Sequence, residues 1–377
     1  MPEWSPTPGS SPLKIARSVT VVATDPERIL ATAAAQLMPG APDVEAPADD
    51  ATGAQLVSLA TSQGLLGPLL IATDDSPTWC RDEIVEHHTG AMLWCMELEL
   101  RLLQIDDWFR DAGGIEYLVL KGPSVAHLDE LDPSLRSFAD IDLLIRARDI
   151  DRALRVLQNH GAERPTPELH RGFDRRFSKG VGVLCDDGIE IDTHRTLCLG
   201  ALGARIPLDD LFAHPDHFTI GGRRFPAFSL HHRALHAAYH AVVGSSARQL
   251  RTLRDLAGYI TRLPPDTLVP VAQQWRGDTV LHSAVSATFN ALTFDAPAWR
   301  EWTDRFVPDP GDLALIDQSQ FESSWPLDVA FMRELTWRDR VAYTWGIATP
   351  SKETLESRGQ TRFSRVRDGV AAIRSNR

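Results

Sequence analysis

Apolar positions along this chain follow a helical period, then a two-residue period, then a helical one again. In residues 25–37 they recur every three to four positions behind "DPER", which supplies an aspartate N-cap and a proline at the first helical position. A polar break, "GAPDVEAPADDATG", precedes a second helical stretch at about residues 55–71. A third, at about residues 82–112, is long and stops at Gly113-Gly114. The texture then changes. "EYLVLKG" is a short apolar run of strand type, and "PSVAHLDEL" reads as a helix opened by proline. "ADIDLLIRA" is a second strand, and "DIDRALRVLQNHG" an amphipathic helix with Ile150, Ala153, Leu154 and Leu157 on one face. "GVGVLCDDGIEIDTHRTL" predicts a hairpin turning at Asp187-Gly188, and "HFTIGGRRFPAFSL" another turning at Gly221-Gly222. Helical spacing returns over residues 231–345, and the arginine-rich tail from Ser357 reads as an exposed helix.

These elements predict an α+β fold, a mixed sheet flanked by N-terminal helices and a C-terminal helical domain. The expected divisions are a disordered N-terminus (1–18), a helical lead-in (19–113), an α/β unit (114–200), a connector with a hairpin (201–230), a helical domain (231–350) and a basic tail (351–377). A chain of 377 residues is long enough for two or three compact units. No apolar run approaches the roughly 18–20 residues of a membrane span, and the N-terminus has no apolar h-region, so a cytoplasmic, non-membrane protein is expected. Cys80, Cys95, Cys185 and Cys198 lie far apart without a C-x-x-C pair, which predicts reduced thiols rather than a disulfide frame or zinc site. A net charge of −12 weighs against a nucleic-acid backbone as partner.

The tripeptide Asp-Ile-Asp occurs twice, in two physical settings. Asp149-Ile150-Asp151 opens a helix, where residues two apart do not share a face and acids serve the macrodipole. Asp140-Ile141-Asp142 enters an apolar strand, where residues two apart project to one side. Two adjacent carboxylates raise each other's pKa and persist best around a cation; hard oxygen donors suit Mg²⁺ or Mn²⁺. "GIEIDTH" adds Glu190, Asp192 and His194 on one face of a neighbouring strand. Three acids on two strands suit two metal ions about 4 Å apart in phosphoryl transfer. Lys121-Gly122 ends the first strand before a helix N-terminus, and Lys121 and Arg136 are candidate cations for a triphosphate.

At these residues the chain resembles the nucleotidyltransferase superfamily typified by DNA polymerase β. It is more closely similar to a bacterial family described only as uncharacterised nucleotidyltransferases. That family reads L-K-G, then R-x-x-x-D-I-D-L-L, then h-D-x-H-W/R; here these are Leu120-Lys121-Gly122, Arg136 through Asp140-Ile141-Asp142-Leu143-Leu144, and Ile191-Asp192-Thr193-His194-Arg195. Further matches are His236, His240, Arg251, Arg254 and Asp255, and "YTWGIATPSKETL" resembles the family's closing segment. The resemblance implies a nucleotidyltransferase-fold sheet, metal ligands at Asp140 and Asp142, and Asp192 rather than Glu190 as third carboxylate. Lys121, Gly122, Ser124 and Arg136 would bind nucleotide, with Glu190, His194, His240 and Arg254 towards the acceptor. The chain departs from the superfamily at Pro123, which has no N–H for phosphate; the serine comes one later, at Ser124. The expected activity is Mg²⁺- or Mn²⁺-dependent transfer of a nucleotidyl group from an NTP such as ATP to a small molecule, natural product or peptide.

Two other functions fit the same acid pair. Glycosyltransferases hold the metal–diphosphate of a sugar nucleotide with D-x-D, which leaves Asp192 unused, and a non-catalytic, antitoxin-like binding module could have kept the fold. His231, His232, His236 and His240 include an i, i+4 pair, but no following glutamate completes a zinc motif, so a pocket-lining or packing pair is expected. Arg164, Arg171, Arg175, Arg176 and Lys179 form either a solvated loop or an arm over phosphates, and Arg358, Arg362, Arg365 and Arg367 a solvated face. The division between the two tripeptides is testable. Asp149→Asn and Asp151→Asn are expected to leave turnover within about twofold of wild type in a pyrophosphate-release assay, as helix-terminal charges contribute only modest stability.

Overall fold

The computed structural model describes residues 22–23, 25–73, 78–243, 249–320, 328–357 and 359. The expected disordered segment 1–18 and the tail arginines Arg358, Arg362, Arg365 and Arg367 lie outside them. Strands β1 (Val22–Ala23) and β2 (Ala46–Pro47) pair in parallel. Helix α1 (Pro26–Ala34) starts where expected, because the Asp25 carboxylate accepts the N–H groups of Glu27 and Arg28. Helix α2 (Asp50–Gln63) starts inside the polar break, because Asp49 accepts the N–H of Thr52. Gly64, at φ 64°, ends α2 in the left-handed conformation and splits the expected single helix from α3 (Leu66–Ala72). Helix α4 (Thr78–Asp111) is the long one.

The sheet has seven strands: β3 (Tyr117–Val119), β4 (Ile141–Ile145), β5 (Ala162–Glu163), β6 (Gly180–Cys185), β7 (Glu190–His194), β8 (Asp216–Ile220) and β9 (Arg223–Ala227). Their spatial order is β5-β6-β7-β4-β3-β9-β8, with β4–β7 and β3–β9 parallel and the other neighbours antiparallel. The hairpin at Gly221-Gly222, expected within a connector, therefore extends the sheet through Val119 opposite Ala227. Between the strands lie α5 (Pro123–Asp129), α6 (Ile150–Asn159), α7 (Asp174–Phe177), α8 (Gly200–Ala204) and α9 (Leu208–Ala213). After β9 come α10 (Leu230–Val242), α11 (Leu250–Ile260), α12 (Pro265–Gln274), α13 (Asp278–Ala291), α14 (Pro297–Arg305), α15 (Pro310–Gln320), α16 (Val329–Glu334), α17 (Trp337–Ala348) and α18 (Lys352–Ser357). No helix among the described residues is long and apolar enough to cross a membrane.

Two-residue alternation gives the central strands two apolar faces, as in a sheet covered on both sides. Tyr117, Val119, Ile141, Leu143, Ile145 and Ile191 pack against Leu98, Leu102, Ile105 and Phe109 of α4 and the apolar face of α6. Leu118, Leu120 and Leu144 face the other way. They join a core that the first three helices share with α10–α13. A third small cluster, Phe173, Phe177, Phe331, Tyr343 and Ile347, pins the loop before β6 to α16 and α17.

Buried ion pairs rivet the sheet to the helices. Asp129 receives Arg233 of α10 (Nε to Oδ2 2.8 Å) and the Tyr259 hydroxyl of α11 (2.6 Å). Glu130 receives Arg254 of α11 through both carboxylate oxygens. Arg136 forks onto Asp255 of α11, with Nε to Oδ1 at 2.9 Å and Nη2 to Oδ2 at 2.8 Å. All three sheet-side members lie between the last residue of α5 and the start of β4. Removing one partner strands a buried charge. Arg136→Met is therefore expected to cost about 3–5 kcal/mol in urea denaturation, and Arg136→Met combined with Asp255→Leu distinctly less.

Candidate active site

The register of β4 against β7 builds the site. Asp142 lies opposite Asp192 and Leu144 opposite His194, so these polar groups share the face that looks towards α10 and α11. Asp140 stands just before β4. Lys121, two residues past β3, reaches across with Nζ 2.9 Å from Asp142 Oδ2 and 3.1 Å from Asp140 Oδ2. His194 Nε2 lies 2.8 Å from Asp142 Oδ1 and 3.9 Å from Asp192 Oδ2. One donor atom each from Asp142, Asp192 and His194 lies within 4.8 Å of the others, a spacing a single cation can span.

The next strand leaves room for these side chains by having none. Gly182 pairs with Asp192, and a Cβ on it would lie 2.8 Å from Asp192 Oδ1. Gly180 pairs with His194, and a Cβ there would lie 2.4 Å from the Thr193 carbonyl oxygen. "GVGV" therefore combines two apolar residues for one core with two bare positions beside His194 and Asp192.

Charge is distributed unevenly over the cluster. Burial alone would raise the Asp142 carboxyl, but Lys121 and then His194 hold it well below the usual range. Burial likewise opposes the Lys121 charge, and Asp142 and Asp140 more than restore it. Asp192 is raised, by burial first and then by Asp142 and Asp140, against the pull of His194 and Lys179. Glu190, exposed at the rim of the same face, is raised by burial and by Asp192. On α10, burial pushes His236 down to about 3 and His240 well below its ordinary value, so both imidazoles are neutral at pH 7. Their rings stack at 6.0 Å, and His240 Nδ1 meets the Thr252 hydroxyl at 3.3 Å.

A family model described as an uncharacterised nucleotidyltransferase matches residues 51–288. The chain belongs to that family. The match runs from α2 to α13 and so takes in the sheet together with the helices that face its acids. Among solved structures, an antigenic nucleotidyltransferase-like protein from Paracoccidioides brasiliensis is similar, at 15% identity over 55% of this chain and 96% of that chain, with a TM-score of 0.32. No curated protein matches.

Of the expected site residues, Lys121, Asp140, Asp142, Asp192 and His194 come together, with Glu190 at the rim and His240 on the facing helix. Arg136 and Arg254 do not join them as free cations. Both are buried in the ion pairs with Asp255 and Glu130 that fix the sheet to α11. Gly122 holds a φ of 63°, and a Cβ there would lie 3.3 Å from Phe138 Cβ. Ser124 is fully buried in a helix of seven residues, its hydroxyl without a hydrogen-bond partner. The basic stretch, read as either a solvated loop or an arm over phosphates, is largely neutralised: Arg164 pairs with Asp174, Arg175 with Asp151 and Arg176 with Asp339. Asp149 occupies the N-cap position of α6 without a side-chain capping bond and pairs instead with Arg152 and Arg148. His236, Arg251 and Lys179 were legible as family matches or local charge, but nothing in their spacing marked them as facing the acids.

Carboxylate oxygens at this spacing fit a hard divalent cation such as Mg²⁺, and the imidazole makes Mn²⁺ an equally suitable guest. The two glycines test the geometry separately. Gly182→Ala displaces only a flexible carboxylate, so Mn²⁺ affinity by paramagnetic resonance is expected to fall by about tenfold with an unchanged melting temperature. Gly180→Ala meets backbone and is expected to lower stability by about 1–3 kcal/mol.

Proposed function

We propose that the protein is a Mg²⁺- or Mn²⁺-dependent nucleotidyltransferase that moves a nucleotidyl group from an NTP to a hydroxyl, phosphate or amine of a small-molecule or peptide acceptor. The observation that carries this reading is the side-by-side register of Asp142 and Asp192, with Asp140 just before β4 joined to Asp142 through Lys121. Asp140, Asp142 and Asp192 would hold the divalent ion, which supplies Lewis acidity at the α-phosphate and lowers the pKa of the attacking group.

The chain's own groups divide the remaining work. His194 holds one Asp142 oxygen and fixes the direction of the other, as carboxylate partners orient ligands in metal sites. Lys121 supplies a charge within reach of the same carboxylates, suited to the negative charge that develops on transferring oxygens. Asp192 keeps a higher proton affinity than Asp142, which suits it to receive the acceptor's proton. Neutral His236 and His240 face the cluster from α10 and offer hydrogen bonds without adding repulsion towards a metal. A nucleotidyl transfer then breaks the α–β phosphoanhydride bond, forms an acceptor–Pα bond and releases pyrophosphate.

The test is turnover with each NTP over an acceptor library, following pyrophosphate. Asp140→Asn and Asp192→Asn are each expected to lower its release by about a hundredfold or more, with folding intact by circular dichroism. Release of UDP from a UDP-sugar, indifferent to Asp192→Asn, would instead support sugar transfer and sink this function.

A further inference from the structure

Most arginines that approach the site from either side are neutralised. Arg136, Arg233 and Arg254 are each locked to a carboxylate across the sheet–helix boundary, and Arg164, Arg175 and Arg176 to carboxylates around the loop before β6. Two cations whose charge reaches the acid cluster do not follow this pattern. Among the described residues neither Arg251 nor Lys179 has a carboxylate partner, in a chain carrying 51 acidic residues against 39 basic ones.

Their placement is specific. Arg251 lies in the first turn of α11, one turn before Arg254 and Asp255, and is half-buried. Its guanidinium rests against Gly64: a Cβ at that glycine would lie 2.8 Å from Arg251 Nη1 and 3.4 Å from the Ser137 hydroxyl. Gly64, Ser137 and Arg251 thus form one wall, and Ser137 is three residues before Asp140. Burial first and then Arg136 oppose the Arg251 charge; Asp255, and after it Asp140 and Asp142, support it without any of them contacting the guanidinium. Lys179 stands directly before β6. Its carbonyl accepts the N–H groups of Arg195 (2.7 Å) and Thr196 (3.2 Å), which fixes it beside the His194 end of β7. From there its charge reaches Asp192, His236 and His240.

We propose, resting on the nucleotidyl-transfer reading above, that Arg251 and Lys179 are the cations that bind the β- and γ-phosphates of the nucleotide. A half-buried guanidinium without a counter-ion is costly unless a ligand supplies one. A planar guanidinium fork matches phosphate oxygens two at a time, and an ammonium serves as a point charge. The acids at Asp140, Asp142 and Asp192 repel a bare polyphosphate, so these two cations favour it only together with its divalent ion. Half of the phosphate grip then comes from the helical layer, through Arg251, rather than from the turn after β3 or from Arg136.

The test is equilibrium binding of full-length protein to an α,β-methylene nucleoside triphosphate with Mn²⁺, with the nucleoside monophosphate and Mn²⁺ alone as controls. Arg251→Gln and Lys179→Gln are each expected to weaken triphosphate binding by about tenfold or more, with monophosphate and Mn²⁺ affinities unchanged. Arg251→Lys, which keeps the charge without the fork, is expected to lose less and covers the case in which the glutamine variant misfolds. Wild-type triphosphate affinity in both glutamine variants would overturn the inference and leave the metal reading standing, provided Asp140→Asn and Asp192→Asn still lose Mn²⁺. Equal losses for monophosphate and triphosphate would also overturn it. A wild-type protein that binds neither Mn²⁺ nor triphosphate would overturn both.

Discussion

The end of α5 and the connection from it to β4 hold the molecule together. Within eight residues they present Asp129, Glu130 and Arg136, and each enters a buried ion pair with α10 or α11. A pair of this kind adds little net stability over a well-packed apolar contact, but it tolerates only one arrangement, since any other strands a charge. Here the arrangement sets how β4 enters the sheet relative to the helices across from it. Asp140 follows Arg136 by four residues, so the clamp that aligns the two layers also positions the first acid. The same clamp places His236 and His240 of α10 and Arg251 of α11 opposite the sheet's polar face.

Once β4 is placed, strand geometry determines the rest. Parallel pairing puts Asp192 beside Asp142, antiparallel pairing puts bare glycines beside Asp192 and His194, and alternation sends the intervening isoleucines into the core under α4. Two carboxylates this close are tolerable because Lys121 and His194 hold Asp142 ionised. Asp192 has the weaker support and the higher proton affinity. The asymmetry arises from which acid is buried against the lysine, and it gives two chemically identical side chains different proton affinities.

Much of this was legible in the chain itself. The contrast between the two Asp-Ile-Asp copies follows from period alone, since one enters an apolar strand and the other opens a helix. Asp192 and His194 share a face by alternation, and both hairpin turns were marked by glycine. What the sequence could not show is partnership at long range. Arg136 and Arg254 carried the family pattern and looked like free cations, yet their carboxylates, Asp255 and Glu130, lie 119 and 124 residues away in the chain. No local spacing encodes such a pair. The same limit hid the membership of the β8–β9 hairpin in the sheet, which depends on one parallel contact at Val119. It also left Arg251 as one family match among several, since only the fold shows that it forms no ion pair where Arg254 and Arg136 do.

The N-terminal and C-terminal helices share one core on the site side of the sheet, although the sequence separates them by the whole of the α/β unit. This explains why Gly64, at the end of α2, lies against Arg251 of α11 and against Ser137 just before the acid strand. A wall made from three distant segments cannot be adjusted by changing one of them. A lead-in helix that shifted would move the guanidinium, and a helical layer that shifted would uncouple Asp255 from Arg136. The family match from residue 51 to residue 288 spans these segments: it begins in α2, takes in Gly64, Ser137 and Arg251, and ends in α13, which packs with α10 and α11. The acid cluster is therefore enclosed only by the sheet together with both helical flanks, since the α/β segment alone supplies the carboxylates but not the layer that faces them.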